Sequence, residues 1–184
     1  TDLTVGPTTF VKELVFNTTD KSGFEAAKNV AKNADVVVMV LGEHGFQSGE
    51  GRSRTNLDLP GNQQELLEEI YKVNKNIVLV LNNGRPLTIP WAAKNIPSIV
   101  EAWHLGTQSG HAIAQVLYGD YNPSGKLPMS FPRNVGQLPI YYNYKNTGRP
   151  STDNPESVFW SHYTDVENTP QYPFGFGLSY SKFD

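Results

Sequence analysis

Asp35-Val36-Val37-Val38-Met39-Val40-Leu41, halted by Gly42-Glu43, is a short, uninterrupted apolar run. Strict alternation would mark a strand with one wet face. A continuous run of this length predicts a strand covered on both faces, as in the middle of a parallel sheet. Upstream, Ser22-Gly23-Phe24-Glu25 has capping-box spacing and opens a predicted helix through Ala34, with Ala26, Ala27, Val30 and Ala31 at helical spacing. Downstream, Pro60-Gly61 leads into residues 63–73, where Leu66, Leu67, Ile70 and Tyr71 form an amphipathic stripe, and 77–81 is a second buried run. Two such runs joined by one helix have the length of a βαβ crossover. Residues 36–41 and 77–81 are therefore predicted to be adjacent, parallel, central strands. After the turn Asn82-Asn83-Gly84-Arg85-Pro86, residues 99–103 read as a further strand and 108–117 as a helix ending at Gly119.

The predicted fold class is thus α/β, with a mostly parallel sheet sandwiched by helices. A length of 184 residues fits one domain over 1–184. Its βα core is expected over 22–131. From 132 to 184 the chain is dense in Pro, Gly, Tyr and Asn without periodicity, which predicts a long irregular arm packed over the sheet or over a neighbouring domain. The arm's aromatics, from Tyr141 through Phe183, are its expected contact area. Trp91 and Trp103, beside strand-like segments, are expected to pack; Trp160 suits either packing or stacking on a sugar.

Several function classes drop out on composition. A net charge of -3 without a Lys/Arg block lacks the footprint of a nucleic-acid binder. No window approaches the roughly 20 apolar residues of a membrane-spanning helix. The absence of cysteine removes disulfides, thiolate metal sites and a cysteine nucleophile. His44, His104, His111 and His162 are widely separated, so no metal site is expected, and Gly-x-Ser-x-Gly is absent. Gly45, Gly49 and Gly51 miss the G-x-G-x-x-G spacing. Gly119 to Lys126 has one residue too many for a phosphate loop, with Leu127 where Ser or Thr would hold magnesium, so no nucleotide or other cofactor is expected. Residues 1–10 lack the basic start and apolar core of a signal peptide, and Asn17-Thr18-Thr19 is a formal glycosylation sequon.

Ligands of open parallel sheets bind at the carboxyl ends of the strands, which directs attention to the loop after the first run. Residues 42–54 contain Glu43, His44, Glu50, Arg52, Arg54 and four glycines. Glycines beside Glu50 let the backbone turn sharply and keep a reacting carboxyl clear of neighbours, and the arginines are placed to hold the loop. Read alone, the loop fits a solvated surface turn better than a catalytic one.

The ordered set of motifs adds to this reading. ADVVVMVLGE (34–43), SGEGRSRTNLDLPGNQQELL (48–67), IVLVLNNGRPL (77–87), the long string from Ile99 to Pro150 and YPFGFGLSYSKF (172–183) resemble consecutive segments of bacterial family 3 glycoside hydrolases of the β-glucosidase type. The resemblance implies the six-stranded (α/β)6-sandwich domain of such enzymes without its first βα segment. It also implies a partner absent from this chain: an N-terminal (β/α)8 barrel, in the same polypeptide or another, bearing an aspartate nucleophile. Glu50 matches the family's general acid/base, with Glu43, Arg52 and Arg54 supporting the loop. The implied activity is retaining removal of terminal β-linked glucose, or xylose in some members, from a β-glucoside or cello-oligosaccharide. The implied setting is periplasmic or secreted, and the isolated chain is expected to be inactive. Ser53 stands where many members have Asp, and Gln108-Ser109 where Glu-Gly is common. A different class, a carbohydrate-binding or assembly module of the same fold without turnover, would not require Glu50.

Overall fold

The structure, a computed structural model, describes residues 3–5, 9–11, 19–145, 148–149, 158–159 and 161–182. A short antiparallel ribbon, β1 (Leu3–Val5) with β2 (Thr9–Val11), forms a sheet of its own. Then follow α1 (Phe24–Lys32), β3 (Val37–Gly42), α2 (Gln63–Val73), β4 (Ile77–Asn82), α3 (Pro90–Asn95), β5 (Ser98–Glu101) and α4 (Ser109–Leu117). Strands β3, β4 and β5 form a parallel sheet in that order. The two apolar runs are therefore neighbours and parallel, as the α/β pattern predicts. Of the six strands implied by the family, the described residues contribute three to this sheet.

The pleat decides which side chains meet. Val37, Met39 and Leu41 lie in register with Ile77, Leu79 and Leu81, and Ile99 with Leu79, so one face presents a continuous apolar surface. Leu67 and Ile70 of α2 and Ala31 of α1 bury themselves in the same core, where alanines let α1 approach closely. Helix α3, too short to show a helical period in sequence, begins with Pro90 in its first turn and places Ala92 fully inside. Trp91 packs on the core and meets Tyr71 edge-on at 5.3 Å, while Trp103 meets Phe131 at 5.8 Å.

Three local expectations need correction. Among the described residues strand β3 is not covered on both faces, because there it is the edge of the sheet and α1 and α2 sit on its Met39 side; Val38 and Val40 remain 49% and 58% exposed. Among the described strands β4 is the central one, and there the opposite-face Val80 is fully buried. The Ser22–Glu25 capping box does not form: Gly23 is the N-cap without a side-chain cap, Ser22 bonds to Asp20 through both its N–H (2.8 Å) and its hydroxyl (3.0 Å), and Glu25 pairs with Lys28. Asp20 competes successfully for Ser22 as an Asx turn does. Strand β5 stops at Glu101, because Trp103 adopts φ +53, a left-handed turn that ends the extended backbone.

The C-terminal arm returns along the chain that precedes it. Phe131 and Tyr172 form an antiparallel bridge, Leu127 N–H donates to the Phe176 carbonyl at 2.8 Å, and the Tyr180 hydroxyl donates to the Val116 carbonyl at 2.7 Å. Tyr172 packs on the core, whereas Tyr141, Tyr142 and Tyr144 are exposed. Trp160, Phe183 and the Asn17 sequon lie outside the described residues.

Candidate active site

The parallel arrangement delivers three chain turns to one edge of the sheet: Gly42-Glu43 after β3, Asn83-Gly84-Arg85 after β4, and Ala102-Trp103-His104 after β5. At Gly42 the backbones of β3 and β4 approach so closely that a Cβ would stand 2.1 Å from the Asn82 carbonyl oxygen, and φ is +136. Glycine is required there. Gln63, the first residue of α2, fixes the same peptide from the other side, accepting from Gly42 N–H at 2.7 Å and donating to its carbonyl at 2.8 Å.

Glu43 follows immediately and its carboxylate is fully enclosed. Arg54 Nη1 donates to Oε1 at 2.9 Å, Gly84 N–H donates to Oε2 at 3.2 Å, and Arg85 Nε forms an ion pair with Oε1 at 3.0 Å without its N–H aiming along a hydrogen-bond line. Arg54 also donates from Nη2 to the Asp58 carbonyl at 2.8 Å. A carboxylate so enclosed and paired is a structural anchor, because separating it from either cation would leave a buried charge uncompensated.

Glu50 has the opposite environment. A single 3-10 turn, Gly45–Gln47, is capped by His44, and the chain then turns through Gly49 (φ +114) and Gly51 (φ +68) with Glu50 between them. Glu50 is exposed, and among the described residues its side chain has no hydrogen bond or ion pair. The Arg52 side chain is likewise exposed and without a partner among the described residues; what Arg52 contributes is its carbonyl, which accepts from Arg85 Nη2 at 2.7 Å. The structure therefore brings Glu43 and Arg54 together and leaves Glu50 and Arg52 facing outward. Sequence reading missed Arg85, although it lies in a turn at the carboxyl end of a buried strand, the place where site residues of parallel sheets gather.

The β5 turn adds a second carboxyl. Glu101 Oε1 accepts from Trp103 N–H at 3.1 Å, while Oε2 is buried without a hydrogen-bond partner. Burial pushes the Glu101 carboxyl up to about 7, opposed by the Trp103 N–H and by the nearby Asn83 amide. That amide is close enough to favour the anion, yet the contact lacks hydrogen-bond geometry: Asn83 Nδ2 is committed to the Arg85 carbonyl at 2.8 Å, and Asn83 Oδ1 is itself unpartnered. His104 Nδ1 lies 3.0 Å from Asn82 Oδ1. Among the described residues no group of three or more His, Cys, Asp and Glu could hold a metal ion, and no helix is long and apolar enough to cross a membrane.

The domain is thus of the α/β class, with a parallel sheet whose first strand-end loop buries one carboxylate, Glu43, and leaves another, Glu50, exposed. The sequence pattern of the glycosyl hydrolase family 3 C-terminal domain matches residues 3–180, and the chain belongs to this family. It is 50% identical over 159 residues to a periplasmic beta-glucosidase of Salmonella typhimurium, covering 86% of this chain and 21% of that protein. It is 47% identical over 167 residues to a beta-xylosidase of Formosa agariphila, covering 89% of this chain and 22% of that protein. The crystal structure of a beta-glucosidase from Listeria innocua superposes with a TM-score of 0.87 at 42% identity, over 92% of this chain and 24% of the other. The chain thus spans about a fifth of the length of the curated relatives it matches.

Proposed function

We propose that this chain supplies the general acid/base half of a retaining exo-β-glycosidase of the β-glucosidase type, with Glu50 as the acid/base. The observation that carries this reading is the contrast within one loop: Glu43 is enclosed by two guanidinium groups, whereas Glu50 stands exposed and unpartnered between two glycines. A reacting carboxyl must approach a substrate oxygen, and of these two Glu50 is the one free to do so. In the proposed reaction Glu50 protonates the glycosidic oxygen as the bond breaks, and a carboxylate from a (β/α)8 barrel attacks the anomeric carbon. Glu50 then takes a proton from the water that releases the sugar. A retaining pair of this kind stands about 5 to 5.5 Å apart. The barrel, its nucleophile and most of the sugar pocket lie outside this chain. The substrate class is a terminal, non-reducing β-D-glucosyl residue of a β-glucoside or cello-oligosaccharide, and the setting is periplasmic or secreted, in line with the Salmonella relative's name.

The test uses a protein in which this domain is joined to a family barrel. Glu50→Ala should reduce cellobiose cleavage by roughly 10²- to 10⁴-fold, because a poor leaving group needs the proton. An activated aryl glucoside should still form the glycosyl-enzyme and then stall. Azide, which needs no base, should restore turnover and yield β-glucosyl azide. Rescue of Glu43→Ala instead, with Glu50→Ala near wild type, would transfer the role to Glu43. If neither variant loses activity, the reading fails and a binding or assembly role replaces it.

A further inference from the structure

Glu50 sits at the apex of residues 48–51, where Ser48 packs against Gly84 but, among the described residues, nothing packs on Gly49 or Gly51. A Cβ placed on Gly49 or Gly51 would meet no atom within 4 Å, and both residues have positive φ, a conformation glycine adopts at little cost and leaves as easily. Ordering such a segment costs conformational entropy, so its position must be imposed from its ends. Both ends converge on one nitrogen. Arg85 Nη2 donates to the Gln47 carbonyl at 2.6 Å and to the Arg52 carbonyl at 2.7 Å, which uses both of its N–H groups and brackets residues 48–51. The same guanidinium rests through Nε on the enclosed Glu43 carboxylate, and the Arg85 carbonyl is held by Asn83. Its side chain is four-fifths buried. A chain of contacts therefore runs from the rigid strand ends through one planar cation to both feet of the Glu50 turn.

We infer that Arg85 is a positioning residue for Glu50, closing the 48–51 turn at its base so that the acid/base carboxyl is presented in one place. Lysine cannot substitute: a point-like ammonium on a flexible stem does not face Glu43 and two backbone carbonyls at once with fixed geometry. The clamp is a property of this chain, while its catalytic consequence rests on the acid/base reading of Glu50. A displacement of the apex by about 1 Å is enough to cost on the order of 100-fold in rate.

The experiment has two arms. In this chain, backbone ¹⁵N relaxation is measured for wild type, Arg85→Lys and Arg85→Met. The order parameters of Glu50 and Gly51 should fall from near 0.85 toward 0.6 or below in both variants, while those of Leu57 and Leu81 stay unchanged. In the barrel-linked protein, Arg85→Lys should lower kcat for cellobiose by about 10- to 100-fold with little change in KM, because substrate contacts are intact and only the carboxyl is misplaced. An unchanged 48–51 turn in the variants would overturn the clamp; a loosened turn with unchanged kcat would overturn the positioning role. Glu50→Ala run alongside separates the two readings, since its failure to stall and be rescued by azide would remove the acid/base assignment while the relaxation arm still judges the clamp. Should the Arg85 variants not fold, wild-type Arg85 Hη protons decide: slow exchange with water is expected, and exchange as fast as a free guanidinium would sink the proposal.

Discussion

Asn83 and Glu101, at the ends of the neighbouring strands β4 and β5, each bury a side-chain oxygen without a hydrogen-bond partner among the described residues. Burial raises the Glu101 carboxyl from an ordinary 4.5 to about 7, although the Trp103 N–H and the nearby Asn83 amide pull the other way. The sign of the linkage follows. Below pH 4.5 both folded and unfolded chains carry the proton; between 4.5 and 7 the unfolded chain loses it first, so stability falls as pH rises, and above 7 the loss levels off. The full difference is about 3 kcal/mol. Glu101→Gln keeps the acceptor for Trp103 and brings a donor that can face Asn83. Urea midpoints at pH 5 and pH 8 should therefore show the variant stabilised relative to wild type at pH 8 only; parallel pH curves for the two proteins would refute the assignment.

Glu43 and Glu50 are seven residues apart in one loop and should differ sharply in their effect on folding. Glu43→Ala removes an enclosed carboxylate from between Arg54 and Arg85, and removing one partner of a buried pair costs about 3–5 kcal/mol. Glu50→Ala touches nothing and should stay within about 0.5 kcal/mol of wild type. Chemical denaturation of the two variants at pH 7 checks the contrast, and equal losses would mean that the loop is not anchored through Glu43.

Gly42→Ala should destabilise by about 3 kcal/mol or more, since the new methyl meets the Asn82 carbonyl at 2.1 Å on top of an unfavourable φ. Gly49→Ala carries the φ penalty alone, about 1–2 kcal/mol, because the space around it is open. Thermal midpoints of the two variants should rank in that order.

The apolar run that predicts β3 misled in one respect, and that respect is testable. Leu79→Ala empties a fully buried site and should cost about 2–5 kcal/mol, whereas Val40→Thr, on the exposed face of the same sheet, should cost less than about 1 kcal/mol. Comparable losses would show that the Val40 face is covered in solution.

The parallel sheet was legible because continuous runs such as 77–81 leave few alternatives to a buried strand, and helix 63–73 because Leu66, Leu67, Ile70 and Tyr71 hold a clean 3.6 period. The exposure of Val38 and Val40 was not legible, since hydrophobicity reports what a strand prefers to contact and not whether a neighbour is present to cover it. The Ser22–Glu25 box failed because a nearer acceptor, Asp20, captured Ser22. Within the candidate site, glycine spacing singled out Glu50, and the carboxyl end of a strand drew attention to Glu43. Arg85 escaped because its partners are the carbonyls of Gln47 and Arg52, 38 and 33 positions away, and backbone acceptors leave no mark in a sequence. Asn83 and Glu101 escaped for a related reason: each is ordinary by type and unusual only in what surrounds it.

The bond from the Tyr180 hydroxyl to the Val116 carbonyl spans 64 positions, and the Phe131–Tyr172 bridge spans most of the irregular arm. These contacts order events in time. On a ribosome, adding the residues from Phe131 to Tyr172 takes roughly 2 to 8 s at ordinary elongation rates. For that interval β3, β4 and β5 can already be paired while Phe131, later one of the most deeply buried aromatics, has no Tyr172 to rest against. The nascent domain therefore passes through a stage with a greasy, uncapped flank, and it is there that a holdase or a misdirected neighbour has its opportunity.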